Sequence, residues 1–116
     1  MAVITPSQHI QDQKGRMIGY LWESVTESDT CLPVRIDKDD VTISIDGTVG
    51  GSSTTMKVSS KESGLNEWTA KDLISGSAVA LTTANTAAVI AEVGIWYTPT
   101  TTGGTGQSIN IAVVAK

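Results

Sequence analysis

Phenylalanine is absent from this chain, and its aromatic set is three Trp and two Tyr. A core with so few rings must be filled by Val, Ile, Leu, Ala and Met, so it is thin for its size. The single cysteine, Cys31, excludes an internal disulfide and fits a protein made in a reducing cytoplasm. The single histidine, His9, leaves no partner for a histidine-based metal site or for an imidazole-driven nucleophile. No apolar run approaches the ~20 residues of a membrane span. The opening MAVITPSQHIQDQKGR has neither the basic nor the apolar region of a secretory signal, so none is expected. Basic residues are few, eight against twelve acidic, for a net charge of −4. They are scattered, with only Lys14/Arg16 and Arg35/Lys38 close together. That excludes the clustered cations by which nucleic acid is bound.

What is present is alternation. In VTISIDGTVGGSSTTMKVS, residues 41–59, Val41, Ile43 and Ile45 fall on one side of a strand and Thr42, Ser44 and Asp46 on the other. Asp46-Gly47 and Gly50-Gly51 supply residues suited to a tight reversal, and Met56 and Val58 resume the pattern. This predicts a β-hairpin, with Val41–Asp46 paired to Thr55–Ser59.

Further strands are expected along the chain. Ile18, Tyr20 and Trp22 share one face of MIGYLWESV, with Leu21 and Val25 on the other, the pattern of a central or interface strand. Leu32–Ile36 is a short extended piece whose Pro33 suits a sheet edge. Trp68 opens WTAKDL, followed by a turn at Ser75-Gly76-Ser77. Residues 78–93 have partly helical spacing, but Thr82, Thr83, Asn85 and Thr86 favour two short strands over a helix. Residues 94–98 and 109–113 alternate again, around a TTTGGTG hairpin loop. The fold class is therefore all-β: a small antiparallel sandwich or barrel, jelly-roll or Ig-like. A 12.1 kDa chain is one domain by size, with about 6,000 Å² exposed when folded. Residues 1–16 are read as an extended N-terminal arm and residues 17–116 as the sandwich. The arm's polar character and Pro6 leave Val3, Ile4 and Ile10 as isolated apolar groups that would order on a neighbouring subunit.

Candidate chemistry is sparse. Gly103-Gly104-Thr105-Gly106 precedes Gln107 and a strand, not a helix N-terminus with a Lys, so it reads as a turn. Asp37, Asp39 and Asp40 lack the ligand spacing, central Gly and closing Glu of a calcium loop. There is no G-x-S-x-G elbow. Carboxylate pairs could be drawn from Glu23, Asp29, Asp46 or Glu92, but any small protein offers such pairs, and the shortage of aromatic platforms argues against a sugar cleft. Trp22, Trp68 and Trp96 are read as core fillers, with sugar stacking as the alternative. No enzyme, cofactor or metal is expected.

The order of features resembles a family of small head proteins of tailed bacteriophages. The residues that carry it are Tyr20-Leu21-Trp22, Asp29-Thr30, Val34 and the Val41–Gly51 run. Ser59, Trp68, Leu81-Thr82, Ile95–Pro99 and the Gly103–Gly106 turn continue it. The similarity spans residues 17–116. It departs from the family at residues 59–67, where the loop is longer, and at residues 95–99, where the family's basic residues are missing. The resemblance implies a capsid decoration, or cement, protein that binds the outside of the head and stabilises it. Its partners would be the major capsid protein and itself, as a homotrimer, on the virion surface after assembly in the host cytoplasm. No nucleic-acid or membrane partner is implied. The interface is expected at Val3, Ile4, Ile10, Tyr20 and Trp22. Two alternatives stay open: a carbohydrate-binding module of a head fibre or tail, and a head-completion or connector protein.

Overall fold

The expected hairpin at residues 41–59 does not form: its two strands lie in different sheets. The computed structural model describes residues 2–11, 17–63, 67–91 and 95–116, with backbone alone for residues 9–11. In chain order the strands are β1 (Val3–Ile4), β2 (Ser7–Gln11), β3 (Ile18–Val25), β4 (Thr30–Cys31), β5 (Val34–Arg35) and β6 (Val41–Thr48). Then come β7 (Ser52–Ser59), β8 (Trp68–Thr69), β9 (Thr86–Val89), β10 (Trp96–Gly103) and β11 (Ser108–Ala115). Five strands form one sheet in the order β2-β3-β11-β6-β9, and four form the other in the order β5-β10-β7-β8. A parallel pair, β1-β4, completes a small antiparallel sandwich with no helix among the described residues.

Alternation cannot distinguish a hairpin from an arch. In both, successive strands carry an apolar face, but in an arch those faces oppose each other across the core and hydrogen bonds run sideways. Val41, Ile43 and Ile45 of β6 pair with Ala115, Val113 and Ile111 of β11, while Met56 and Val58 of β7 pair with Pro99 and Tyr97 of β10. The reversal is at Val49–Ser52, closed by the Ser52 amide donating to the Val49 carbonyl at 3.1 Å. Asp46-Gly47 is not the turn; Gly47 lies within β6 at φ 99°, where a Cβ would sit 2.5 Å from the Ser108 carbonyl oxygen. The turn after β10 is likewise an arch, lying against the first. The Thr105 amide donates to the Gly50 carbonyl at 3.0 Å. At Gly50 (φ 61°) a Cβ would come 2.4 Å from the Thr105 carbonyl oxygen, so no other residue fits without movement.

The core is the space between the two sheets. Trp22, Ile43, Met56, Val58, Tyr97, Ile109, Ile111 and Val113 are fully buried there. Total exposed surface is 6272 Å², in line with the scaling expectation. Thr54 is fully buried despite being polar, and its hydroxyl pairs with that of Thr101 at 3.0 Å. Val25 corrects the strand reading: it faces the core with Trp22, three residues away. A bulge makes this possible, because Val25 pairs with Ile109 and Trp22 with Ile111, leaving Glu23 and Ser24 opposite Asn110 alone.

The division into arm and sandwich is also corrected. β1 pairs with β4, and β2 with β3, so both arm strands belong to the sheets of their own protomer. Sequence pattern missed this because edge strands held by backbone hydrogen bonds need little apolar character.

Candidate interaction surfaces

One cleft of about 430 Å³ opens between the start of β3 and the segment following β5. It is lined by Met17, Ile18, Tyr20 and Ile36 together with the charged Arg35, Asp37 and Lys38. Arg35 and Asp37 make an exposed ion pair at 3.5 Å, a contact that organises the rim more than it stabilises the fold. The alternation of β3 aims residues 18, 20 and 22 inward. Near the strand's start the sandwich is open, so Tyr20 is only half-buried at the cleft. Trp22 lies deeper, and its ring is wholly enclosed, with Nε1–H donating to the Leu32 carbonyl at 3.0 Å. Trp22 is therefore a core residue with no surface to offer a partner, which corrects its place among the interface candidates.

The other candidates divide. Val3 is 59% exposed, whereas Ile4 is half-buried against the core of its own protomer. Ile10 pairs through its backbone with Gly19, and its side chain lies outside the described residues, as does that of His9. Asp29 ties the arm down. Its carboxylate accepts from the Thr26 amide at 2.9 Å, the Thr26 hydroxyl at 2.8 Å and the Ala2 amide at 2.9 Å. Those hydrogen bonds, led by the Thr26 amide, hold its pKa below the ordinary 3.8. Cys31 sits beside a smaller cleft of about 160 Å³, formed with Val25, Asp29 and Thr98–Thr101. Burial, with the nearby Asp29 charge, pushes its thiol pKa up to about 12, so it is a poor nucleophile and a poor ligand.

The most exposed large apolar side chains among the described residues were not legible as a site. Leu73 is 60% exposed and Ile74 90%, at the tip of a small hairpin between β8 and β9. The Lys71–Ala78 bridge closes its base, and the Val79 amide donates to the Ala70 carbonyl at 2.9 Å. At the tip, Asp72 Oδ1 accepts the Ile74 amide at 2.8 Å, and the Gly76 amide donates to the Asp72 carbonyl at 2.8 Å. The Leu73 amide donates to the Val89 carbonyl of β9 at 2.8 Å, fastening the tip to the sheet edge. The available signal was Leu73-Ile74 directly against Ser75-Gly76: two aliphatics inside a turn, where polar residues belong.

No group of three or more His, Cys, Asp and Glu is placed to hold a metal ion among the described residues. Trp68 and Trp96 are both half-buried, and Trp68 packs against the core. The outward face of the four-stranded sheet presents Thr55, Lys57, Thr69, Thr98 and Thr100. On it Lys57 Nζ donates to Thr69 Oγ1 at 2.7 Å.

Comparison with solved structures finds the same fold elsewhere. The SPBc2 prophage-derived protein YomS superposes with a TM-score of 0.64 at 11% identity, over 93% of this chain and 96% of that one. A cobalt(II) form of HppE bound to Tris buffer gives 0.51 at 14% identity, over 93% of this chain. Hydroxypropylphosphonic acid epoxidase from S. wedmorenis gives 0.50 at 14% identity, also over 93% of this chain. This chain spans 51% and 48% of those two chains, about half their length, but nearly all of the prophage protein. At these identities the likeness is one of fold. No family model matches the chain, and no curated protein does either.

Proposed function

We propose that this chain is a non-enzymatic structural protein of a bacteriophage particle, which decorates the outside of the head and stabilises the shell. The observation that carries the reading is the end-to-end likeness to a prophage-derived protein, with little left over on either chain. The order of residues shared with small head proteins of tailed phages supports it. So does the architecture: two sheets closed by tight arches make a rigid module. The major capsid protein is the proposed partner, with self-association alongside it. The epoxidases share the sandwich only as half of a longer chain, which gives no ground for carrying their chemistry over.

Particle composition tests this. Quantitative mass spectrometry of purified particles from a lysogen carrying this chain should find it at hundreds of copies, like the shell protein. Around a dozen copies would indicate a ring at a unique vertex, that is, a connector. Absence from particles would overturn the structural reading altogether.

A further inference from the structure

We propose that the outer face of the five-stranded sheet is a self-association surface, packing face to face on the same sheet of a second copy across a two-fold axis. The proposal rests on the self-association in the functional reading above and gives it a surface.

The face lacks the charge that a solvated sheet face carries. Along β6 and β11, buried residues alternate with Thr42 and Ser44, and with Ala112 and Val114, which point away from the core. The register extends these positions across the sheet. Leu21, Ala112, Ser44 and Ala87 form one row, and Gly19, Val114, Thr42 and Val89 form the next. Neither row holds a charged side chain. An antiparallel sheet with one face in water places polar residues outside. Here Leu21, Val89 and Val114 stand outside, half-buried by their neighbours, and none of them packs against the core. The four-stranded sheet follows the usual rule, with Lys57 among threonines on its outer face.

Charges begin only towards the strand ends. At one end Asp46 and Glu23 lie on either side of Asn110. At the other, Asp40 and Lys116 are joined by a reciprocal pair of backbone hydrogen bonds, each 3.0 Å. An uncharged centre within a charged rim is the anatomy of a protein interface.

Area and relief select a second copy as the occupant. With strands about 4.8 Å apart and same-face residues about 6.7 Å apart, five strands and four rows span roughly 500–600 Å², allowing for the short β2 and β9. Two such faces bury about 1,000–1,200 Å², the low end of what a specific dimer needs. Gly19, Ala87 and Ala112 keep the relief low, so a second sheet can approach to about 10 Å. The rim sets the direction. With the axis running across the strands, Glu23 and Asp46 of each copy lie over the Lys116 end of the other. With the axis along the strands, those carboxylates would meet their own equivalents, which is unfavourable. In the favoured arrangement β11 lies over β11, with Ala112 of one protomer opposite Val114 of its partner. The contact is isologous and closes at two chains.

Sedimentation velocity on the full chain tests this, up to about 500 µM because a small interface binds weakly. The wild-type mass should rise from 12.1 kDa toward twice that value and stop there. Val114→Glu should weaken the association at least about tenfold, because each copy would bury an unpaired charge at the centre of the contact. Ala112→Lys should do the same, and serves where Val114→Glu does not fold. Thr98→Glu, on the outer face of the other sheet, should associate like wild type. Circular dichroism identical to wild type confirms that each variant is folded. A wild-type monomer at the highest concentration overturns the proposal. So does assembly beyond two chains, a folded Val114→Glu or Ala112→Lys that associates like wild type, or a Thr98→Glu that is equally impaired. Pelleting with phage heads is scored separately. A monomer whose pelleting is abolished by Val114→Glu assigns the face to the shell, which sinks the second copy and leaves the head reading standing. A dimer that ignores heads does the opposite.

Discussion

Ser24 and Asn110 face each other across the bulge in the five-stranded sheet, and the Ser24 amide donates to Asn110 Oδ1 at 3.0 Å. The other end of that side-chain amide donates to Asp46 Oδ1 at 2.7 Å, so Asn110 links β3, β11 and β6 where the regular ladder is interrupted. Ser24 holds φ at 55°, in the left-handed region that ordinary residues avoid. This one strained position lets both Trp22 and Val25 reach the core.

Replacing Asn110 with Ala should cost about 1 kcal/mol, because the Ser24 amide loses its partner at a partly exposed site. Ser24→Gly should raise stability by about 0.5 kcal/mol, since relief of the left-handed strain outweighs the added backbone freedom. Urea unfolding of the two variants against wild type measures both. Equal stability for all three would show that the bulge is not held by this link.

The arm should loosen in acid through Asp29. A carboxylate whose folded pKa is depressed stabilises the fold in full above its unfolded pKa, and that contribution is lost as pH falls through the lower folded value. Amide exchange at Thr30 and Leu32, whose N–H groups donate to the Ala2 and Ile4 carbonyls, should therefore accelerate below the ordinary 3.8. Asp29→Asn should exchange faster at neutral pH and lose most of the acid dependence. Unchanged exchange in that variant would mean the carboxylate does not anchor the arm.

Cys31 should resist alkylation. With its pKa pushed up to about 12 and its side chain partly buried, iodoacetamide at neutral pH should react far more slowly with the native chain than with the denatured one. Cys31→Ser should stay within ~1 kcal/mol of wild type. Fast native labelling would place the thiol in solvent.

Ile4 and Val3, adjacent in sequence, should behave differently. Ile4→Ala should cost about 1–2 kcal/mol, because the side chain packs partly into the core of its own protomer. Val3→Ala should change stability by less than ~0.5 kcal/mol, as its side chain is mostly in water. Thermal unfolding scans distinguish them, and a neutral Ile4→Ala would show that the arm is not part of the folded unit.

Strand character was legible wherever apolar and polar residues alternate: β3, β6 and β7 fall within stretches read that way and β10 and β11 overlap them, although β10 runs on to Gly103 through residues read as a loop. Pro33 beside the edge strand β5 was legible for the same local reason. Partner choice was not. Which strand lies beside β6 depends on whether the Gly50-Gly51 turn makes a hairpin or an arch, and both use the same residues. The phase of Val25 was hidden because Ser24 carries no sign in the sequence that it accepts a left-handed backbone. Tyr20 and Trp22 share a strand face in the sequence, and only depth within the sandwich separates the half-buried Tyr20 from the enclosed Trp22. Leu73 was absorbed into a strand and Ile74 fell between that strand and the turn after it, since exposure at a tip is a property of the whole fold.

The central place of β11 has a consequence for how the chain is made. It lies between β3 and β6 and follows every other described strand in chain order, so neither neighbour is paired on that side until it has been synthesised. A nascent chain lacking β11 exposes two unpaired edges and the apolar faces of β3 and β6, a template for aggregation. Folding is thus largely postponed until β11 has been synthesised, and long-range pairing of this kind is slow. Ribosome-bound chains truncated before Ser108 should remain protease-sensitive and chaperone-bound, then become resistant together once Ile111 and Val113 have emerged.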